Sequence, residues 1–183
     1  MKRIIIAAMA AALLSACGSS SNTKDGDSTK VATEQTQYTD GQEYTENGVV
    51  KLYFAPIDMQ KDSTIAVRIE MVPDESLPKI GNENLGKTFC DNKAIVTFRQ
   101  NGQDVMQKSF TKHSFDSYIS SSLMSGAILY RLQFQGFEGN AVKLLAVVTV
   151  PHSDEEAGVV VTVSPDGSTM MQKFEVEEVP EEL

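Results

Sequence analysis

The chain has 183 residues, and 16 Lys and Arg stand against 25 Asp and Glu, which gives a net charge of -9. Hydrophobic residues make up 41% of the chain, a share that is typical of folded globular proteins. An acidic chain repels phosphate backbones, so the composition argues against nucleic-acid binding. The 2 cysteines exclude a disulfide-dense scaffold, and the 2 histidines leave little for His-based metal or acid–base chemistry.

Residues 1–16 have the features of a bacterial signal peptide. Lys2 and Arg3 precede an apolar run that is well short of the roughly 20 residues a membrane-spanning helix needs. The next residues, Leu-Ser-Ala-Cys, resemble the lipobox of bacterial lipoproteins, whose cysteine is acylated and becomes the first residue of the mature chain. The resemblance implies that Cys17 carries a lipid anchor. Gly18, where an aspartate would indicate inner-membrane retention, favours the outer membrane, on its periplasmic or its cell-surface face.

The rest of the chain divides by composition into three parts. Residues 17–47 are the lipidated cysteine and a polar segment rich in Ser, Thr, Asp, Glu, Gln and Gly. Such a segment buries too little apolar surface to offset its conformational entropy, so it is predicted to be a flexible tether. Residues 48–178 are predicted to form one β-sandwich domain, and residues 179–183 an acidic tail.

Within the predicted domain the apolar residues recur with a period of two, which is typical of β-strands. Residues 64–71 are the clearest case, because Ile65, Val67 and Ile69 alternate with polar neighbours. The same alternation predicts strands at residues 50–54, 94–98, 128–134 and 170–176. Residues 142–150 and 159–163 are apolar on nearly both faces, which is typical of central strands in a covered sheet.

Turn residues separate these strands. Asn101-Gly102 is a strong hairpin signal, and residues 138–140 and 164–167 predict two further turns. Residues 114–123 form the one helical candidate, with Ser114 as its cap. The predicted fold class is all-β, an antiparallel β-sandwich of about eight strands with one short helix.

The order of these elements resembles a family of small uncharacterised Bacteroidetes envelope lipoproteins that is known as a domain of unknown function. The residues that carry the resemblance lie in the C-terminal half, at 95–108, 110–118, 128–129, 134–140 and 151–155. The resemblance implies a β-rich cell-envelope lipoprotein of that bacterial group. It implies no active site and no cofactor.

The two histidines are possible centres of metal binding or catalysis. His152 with the carboxylates of Asp154, Glu155 and Glu156 could hold Ca²⁺ or Zn²⁺. These residues lack the alternating ligands of a calcium loop and the converging ligands of a zinc site. His113 and Asp116 could activate one of the nearby serines, but nothing marks one serine as a nucleophile. We therefore expect no metal and no catalytic residues at these positions.

These observations predict a non-enzymatic binding or assembly module for an envelope protein or a glycan, anchored by lipid and without a cofactor. The alternative is a carrier that holds a small apolar ligand between its sheets. A hydrolase that uses His113 or His152 is the third reading. Cys90, the cysteine that carries no lipid in this account, is expected to be a small buried residue.

Overall fold

Twelve strands, one short α-helix and one 3-10 turn make up residues 38–175, the part of the chain that the computed structural model describes. The strands are β1 (Gln42–Glu46), β2 (Val49–Tyr53), β3 (Ile57–Gln60), β4 (Ile65–Pro73), β5 (Ile80–Asn82), β6 (Lys87–Phe89), β7 (Asn92–Gln100), β8 (Gln103–Phe110), β9 (Ile128–Glu138), β10 (Ala141–Thr149), β11 (Glu156–Val163) and β12 (Thr169–Lys173). The 3-10 turn is Lys112–Phe115 and α1 is Ser121–Gly126. In residues 38–175 no helix is long and apolar enough to cross a membrane. The predicted signal peptide, Cys17 and the acidic tail lie outside the described residues.

The strands form three four-stranded sheets. Sheet I has the order β3-β4-β7-β8 and sheet II the order β12-β11-β10-β9, and both are antiparallel throughout. Sheet III has the order β1-β2-β6-β5, in which β2 and β6 pair in parallel. The two apolar segments of the sequence, β10 and β11, are the central strands of sheet II, as their composition predicted.

Sheets I and II bury one face each in a common hydrophobic core. In sheet I the buried side chains alternate along β4 and β7, as the period of two predicted. The fully buried side chains of β10 and β11 are Val142, Leu144, Ala146, Val148, Val159, Val161 and Val163. Each large apolar side chain that is buried in this way contributes about 1.5–3 kcal/mol to the folded state.

A buried polar cluster joins the beginnings of β7 and β9 to the 3-10 turn. Asp91 Oδ1 accepts hydrogen bonds from the backbone N–H groups of Asn92 and Leu129, both at 2.8 Å. The Lys112 ammonium lies 3.6 Å from Asp91 Oδ2 and donates to the Ala127 carbonyl at 2.6 Å. Because buried charges are costly unless they are paired, the cluster strongly restrains this geometry. It therefore fixes the point at which β9 begins.

The all-β class is confirmed, but the strands number twelve rather than about eight, and they form three sheets. Strands β3, β5 and β6 have only three or four residues each, too few for an alternating pattern to be recognised. Strand β1 lies within residues 17–47, the segment predicted to be tether. All five of its residues are exposed, and it is held by backbone pairing with β2, which composition does not reveal.

The predicted helix over residues 114–123 is wrong in its bounds. The chain instead forms the 3-10 turn and then α1, whose N-cap is Ser120. The Ser120 hydroxyl accepts a hydrogen bond from the backbone N–H of Leu123 at 3.4 Å. The core side chains of this segment are unevenly spaced in the sequence. Two short turns can direct all of them to the core, whereas a single helix would place them on different faces. The core side chains of this segment are Phe115, Ile119 and Met124.

The predicted turns are confirmed. Asn101 and Gly102 connect β7 to β8 with positive φ angles of 51° and 79°, which Asn and Gly tolerate better than other residues. Residues 139–140 connect β9 to β10. In the turn before β12, the backbone N–H of Gly167 donates to the carbonyl of Ser164 at 2.9 Å.

Candidate functional site

A cleft of about 350 Å³ lies between sheet III and the adjoining ends of β9, β10 and β11. Its apolar lining consists of Leu52, Phe89 and Ile128, which are nearly fully buried, and of Pro151. Its polar lining consists of Glu43, Tyr130, Arg131, Thr149, His152, Ser153 and Glu156. The accessible wall of the cleft is therefore mainly polar, over an apolar base.

The loop from β10 to β11 places His152 on the cleft wall. The loop closes on itself, because the Ser153 N–H donates to the Val150 carbonyl at 3.2 Å and the Val150 N–H donates to the Glu155 carbonyl at 3.0 Å. Asn82 ties the loop to sheet III by donating from Nδ2 to the Pro151 carbonyl at 3.1 Å. His152 itself has a φ of 59°, a conformation that only a few residue types adopt without strain.

His152 is paired with a carboxylate of sheet III. Its Nε2 atom lies 2.7 Å from Oε1 of Glu43 in β1, and its ring packs against Phe89 at a centroid distance of 5.6 Å. Because an ionised carboxylate only accepts hydrogen bonds, Nε2 must carry the proton. Nδ1 then accepts a hydrogen bond in the neutral imidazole and donates one in the imidazolium.

A β-bulge in β9 turns two consecutive side chains to the cleft. Val148 pairs with Leu129 and Val147 with Arg131, so Tyr130 is the extra residue of β9. In a regular strand, neighbouring side chains point to opposite faces, whereas here Tyr130 and Arg131 both line the cleft. Bulges commonly redirect side chains in this way near functional sites.

Arg131 is held by aromatic rings and by a carboxylate. Its guanidinium carbon lies 4.7 Å from the ring centroid of Tyr38 and 5.4 Å from that of Tyr130, both within the range of cation–π attraction. Its Nη1 donates to Asp40 Oδ1 at 3.2 Å, and its Nε is buried without a hydrogen-bond partner among the described residues. The guanidinium is therefore fixed in place at the side of the cleft.

The pKa of the Tyr130 hydroxyl is shifted by burial and by the carboxylate of Asp40. Burial raises the pKa of its hydroxyl above the ordinary value, and the nearby charge of Asp40 raises it further. The hydroxyl therefore stays protonated throughout the physiological pH range. Its oxygen accepts a hydrogen bond from the backbone N–H of Gly41, and its O–H group can donate to a ligand.

The cleft thus combines paired charges with neutral polar groups. Arg131 pairs with Asp40, and His152 pairs with Glu43. Glu156, the further carboxylate of the lining, forms no ion pair within residues 38–175. The arrangement can bind a polar ligand through hydrogen bonds at its wall.

The structure separates His152 from two of the carboxylates that could share a metal ion with it. His152 faces Glu43, while Asp154 and Glu155 are exposed and do not line the cleft. Among residues 38–175 no group of three or more His, Cys, Asp or Glu side chains is placed to hold a metal ion. Cys17, the predicted lipid attachment site, lies outside the described residues, and Cys90 is buried with a free thiol, as expected.

His113 lies on the surface at the 3-10 turn. Its Nδ1 is 3.3 Å from Asp116 Oδ1, and about half of each side chain is exposed. Neither residue lines the cleft. The pair is therefore a solvated surface contact rather than part of the candidate site.

Among the polar residues that line the cleft, the sequence singles out His152 and, in the same loop, Glu156. Arg131 alternates with the buried Leu132 as the pattern predicts, but alternation does not show that the cleft covers Arg131. Glu43 falls within the predicted tether because the residues of β1 have no alternating apolar pattern. The sequence nevertheless contains a sign of strand β1, because Tyr44 is followed by Asn47-Gly48, a typical hairpin turn sequence.

These features define the chain as an all-β domain with a polar cleft between two of its sheets. Residues 30–171 match the family described as Domain of unknown function (DUF4738). Because the match covers most of the chain, the chain belongs to that family, which confirms the expectation of a domain-of-unknown-function family. No curated protein matches the chain.

Proposed function

We propose that the chain is a lipid-anchored envelope protein of the Bacteroidetes and that its domain is a non-enzymatic module for an envelope protein or a glycan. The cleft between sheets II and III carries the binding part of this proposal. Its wall holds fixed donors and acceptors, which suit a polar partner. The lipobox-like sequence before Cys17 supports the anchor, and Gly18 supports placement in the outer membrane.

The geometry favours this function over a carrier for an apolar ligand. Such a carrier needs a cavity of several hundred Å³ between its sheets. The gap between sheets I and II that is lined by Ile69, Met71 and Leu132 has about 10 Å³, room for at most one water molecule. The larger cleft has a mainly polar wall, and an apolar ligand would leave those groups unpaired.

The anchor is tested by the variant Cys17→Ala, expressed in the native envelope and followed by membrane fractionation. The wild-type chain is expected in the membrane fraction, and the variant in the soluble fraction with an unchanged circular dichroism spectrum. Membrane association that persists in the Cys17→Ala variant would overturn the anchor.

The binding function is tested by crosslinking the lipidated, tagged protein in intact cells and identifying what co-purifies. A protein or glycan recovered in constant proportion to the chain is the expected result. If nothing is enriched over an unrelated lipoprotein, the binding proposal fails. The hydrolase alternative is excluded if His113→Ala and His152→Ala both fully complement a deletion strain.

A further inference from the structure

We infer that the ligand of the cleft is a neutral sugar, such as the terminal pyranose ring of an envelope glycan. This inference rests on the proposed binding function and narrows it to one ligand class. It is carried by the charges of the cleft, the hydrogen-bonding groups of its wall and its size.

The charges of the cleft disfavour an anionic ligand. The guanidinium of Arg131 is already paired with Asp40, and His152 is paired with Glu43. Glu156 adds a negative charge to the lining, and the whole chain carries -9. A phosphate or a uronic acid would be repelled by this field, whereas a neutral ligand would not.

The wall of the cleft matches a ligand that is rich in hydroxyl groups. A hydroxyl group donates one hydrogen bond and accepts others. The wall offers carboxylate acceptors at Glu43 and Glu156, and a protonated hydroxyl at Tyr130. His152 adds its Nδ1 atom, a ring nitrogen that can hydrogen-bond to a ligand while Nε2 faces Glu43. Adjacent sugar hydroxyls can satisfy several of these groups at once, which a ligand with a single polar group cannot.

The aromatic rings in the cleft lining and the volume of the cleft are consistent with a sugar ligand. Tyr130 and His152 contribute ring surfaces to the lining, against which the C–H face of a pyranose can pack. The volume of about 350 Å³ lies near the lower end of the range of ligand clefts, roughly 300–1,000 Å³. The cleft therefore accommodates a mono- or disaccharide unit rather than a folded protein surface.

The test is a titration of the full lipidated chain, held in a detergent without sugar head groups. The probes are glucose, galactose, mannose and N-acetylglucosamine, each to about 10 mM, because a single sugar ring gives affinities near the millimolar range. Binding is followed by saturation-transfer difference NMR. We expect transfer from the protein to at least one of these sugars.

Two variants locate the binding, each with a matched control. His152→Asn removes the imidazole and keeps a residue that tolerates a φ of 59°, and His113→Asn makes the same change outside the cleft. Glu156→Gln removes a negative charge from the cleft lining. Its control, Glu155→Gln, removes a negative charge from the neighbouring residue, which does not line the cleft. We expect both cleft variants to weaken sugar binding by about tenfold or more, and both controls to leave it unchanged.

Three results would overturn the inference. One is that none of the four sugars shows saturation transfer while the chain is folded. A second is that the cleft variants and their controls bind sugar equally. A third is that a peptide or envelope protein binds and is lost in the cleft variants, which leaves the proposed binding function standing and removes the sugar. If neither a sugar nor a protein is captured, the proposed function fails as well.

Discussion

The Nε2 atom of His152 lies 2.7 Å from Oε1 of Glu43, and this contact joins the loop after β10 to strand β1 at the wall of the cleft. Both side chains are 40% exposed, so water competes for the contact. The pair orders the cleft wall and contributes little to the stability of the fold.

The first prediction concerns this contact. Glu43→Gln is expected to change the free energy of unfolding by less than about 1 kcal/mol, because exposed pairs contribute only that much. Urea denaturation followed by circular dichroism measures the change. A loss of several kcal/mol would show that the pair holds sheet III in place, contrary to this account.

The second prediction concerns the buried pair of Lys112 and Asp91, whose side chains are 5% and 1% exposed. Lys112→Met leaves the Asp91 carboxylate buried without its cation, and this is expected to destabilise the fold by about 3–5 kcal/mol. Lys143→Met is the control, because Lys143 forms a surface pair with Glu138 at 3.2 Å. Lys143→Met is expected to lower the free energy of unfolding by less than about 1 kcal/mol. Equal effects in the two variants would contradict the role given to the buried cluster.

Side-chain alternation was enough to predict the large sheets, because their strands are long and bury one face or both. Residues 142–150 and 159–163 are so apolar that only central strands could accommodate them, and β10 and β11 have that position. The turn at Asn101-Gly102 could be predicted because few other residues adopt its positive φ angles. These features depend on local sequence alone.

The cleft could not be predicted in the same way, because it depends on contacts between distant parts of the chain. Glu43 and His152 are 109 positions apart in the numbering and meet only when sheet III packs beside sheet II. The bulge at Tyr130 is a property of the pairing of β9 with β10, so alternation could not predict that Ile128 lies on the cleft side, opposite Thr149, rather than on the side of Leu132. Strand β1 has no apolar residue pattern and is defined by its partner strand.

The third prediction is a dependence of stability on acid pH. Asp74 accepts hydrogen bonds from the Ser76 side chain at 2.6 Å and lies 3.0 Å from the Lys93 ammonium. These contacts lower the pKa of Asp74 from 3.8 to about 2 in the folded chain. The lowered pKa stabilises the fold above pH 3.8, and this contribution is lost as the pH falls from 3.8 to about 2.

The measurement is urea denaturation of the wild-type chain and of Asp74→Asn between pH 2 and pH 6. The variant is expected to be less stable at pH 6, by an amount on the order of 1 kcal/mol once solvent screening is allowed for. The difference should shrink towards zero near pH 2. A difference that is constant across this range would rule out the assigned role of Asp74.

The fourth prediction concerns the close packing at Gly158 in β11. A Cβ atom added there would lie 3.0 Å from Cβ of Phe174 and 3.1 Å from Cδ1 of Leu145. Gly158→Ala is therefore expected to destabilise the fold by about 1–3 kcal/mol, as overpacking does. Gly81→Ala is the matched control, because its added Cβ meets nothing within 4 Å. A Gly158→Ala variant as stable as Gly81→Ala would show that the neighbouring side chains adjust freely.

The central claim is that the partner of this protein binds at the cleft, and site-specific photocrosslinking in intact cells tests it most directly. A photoreactive amino acid is placed at Ser153, an exposed residue of the cleft lining, and in a second strain at Gln103, an exposed residue of β8 that does not line the cleft. We predict a discrete crosslinked product from position 153 that is absent from position 103. The same products from both positions, or a product from position 103 alone, would contradict the account.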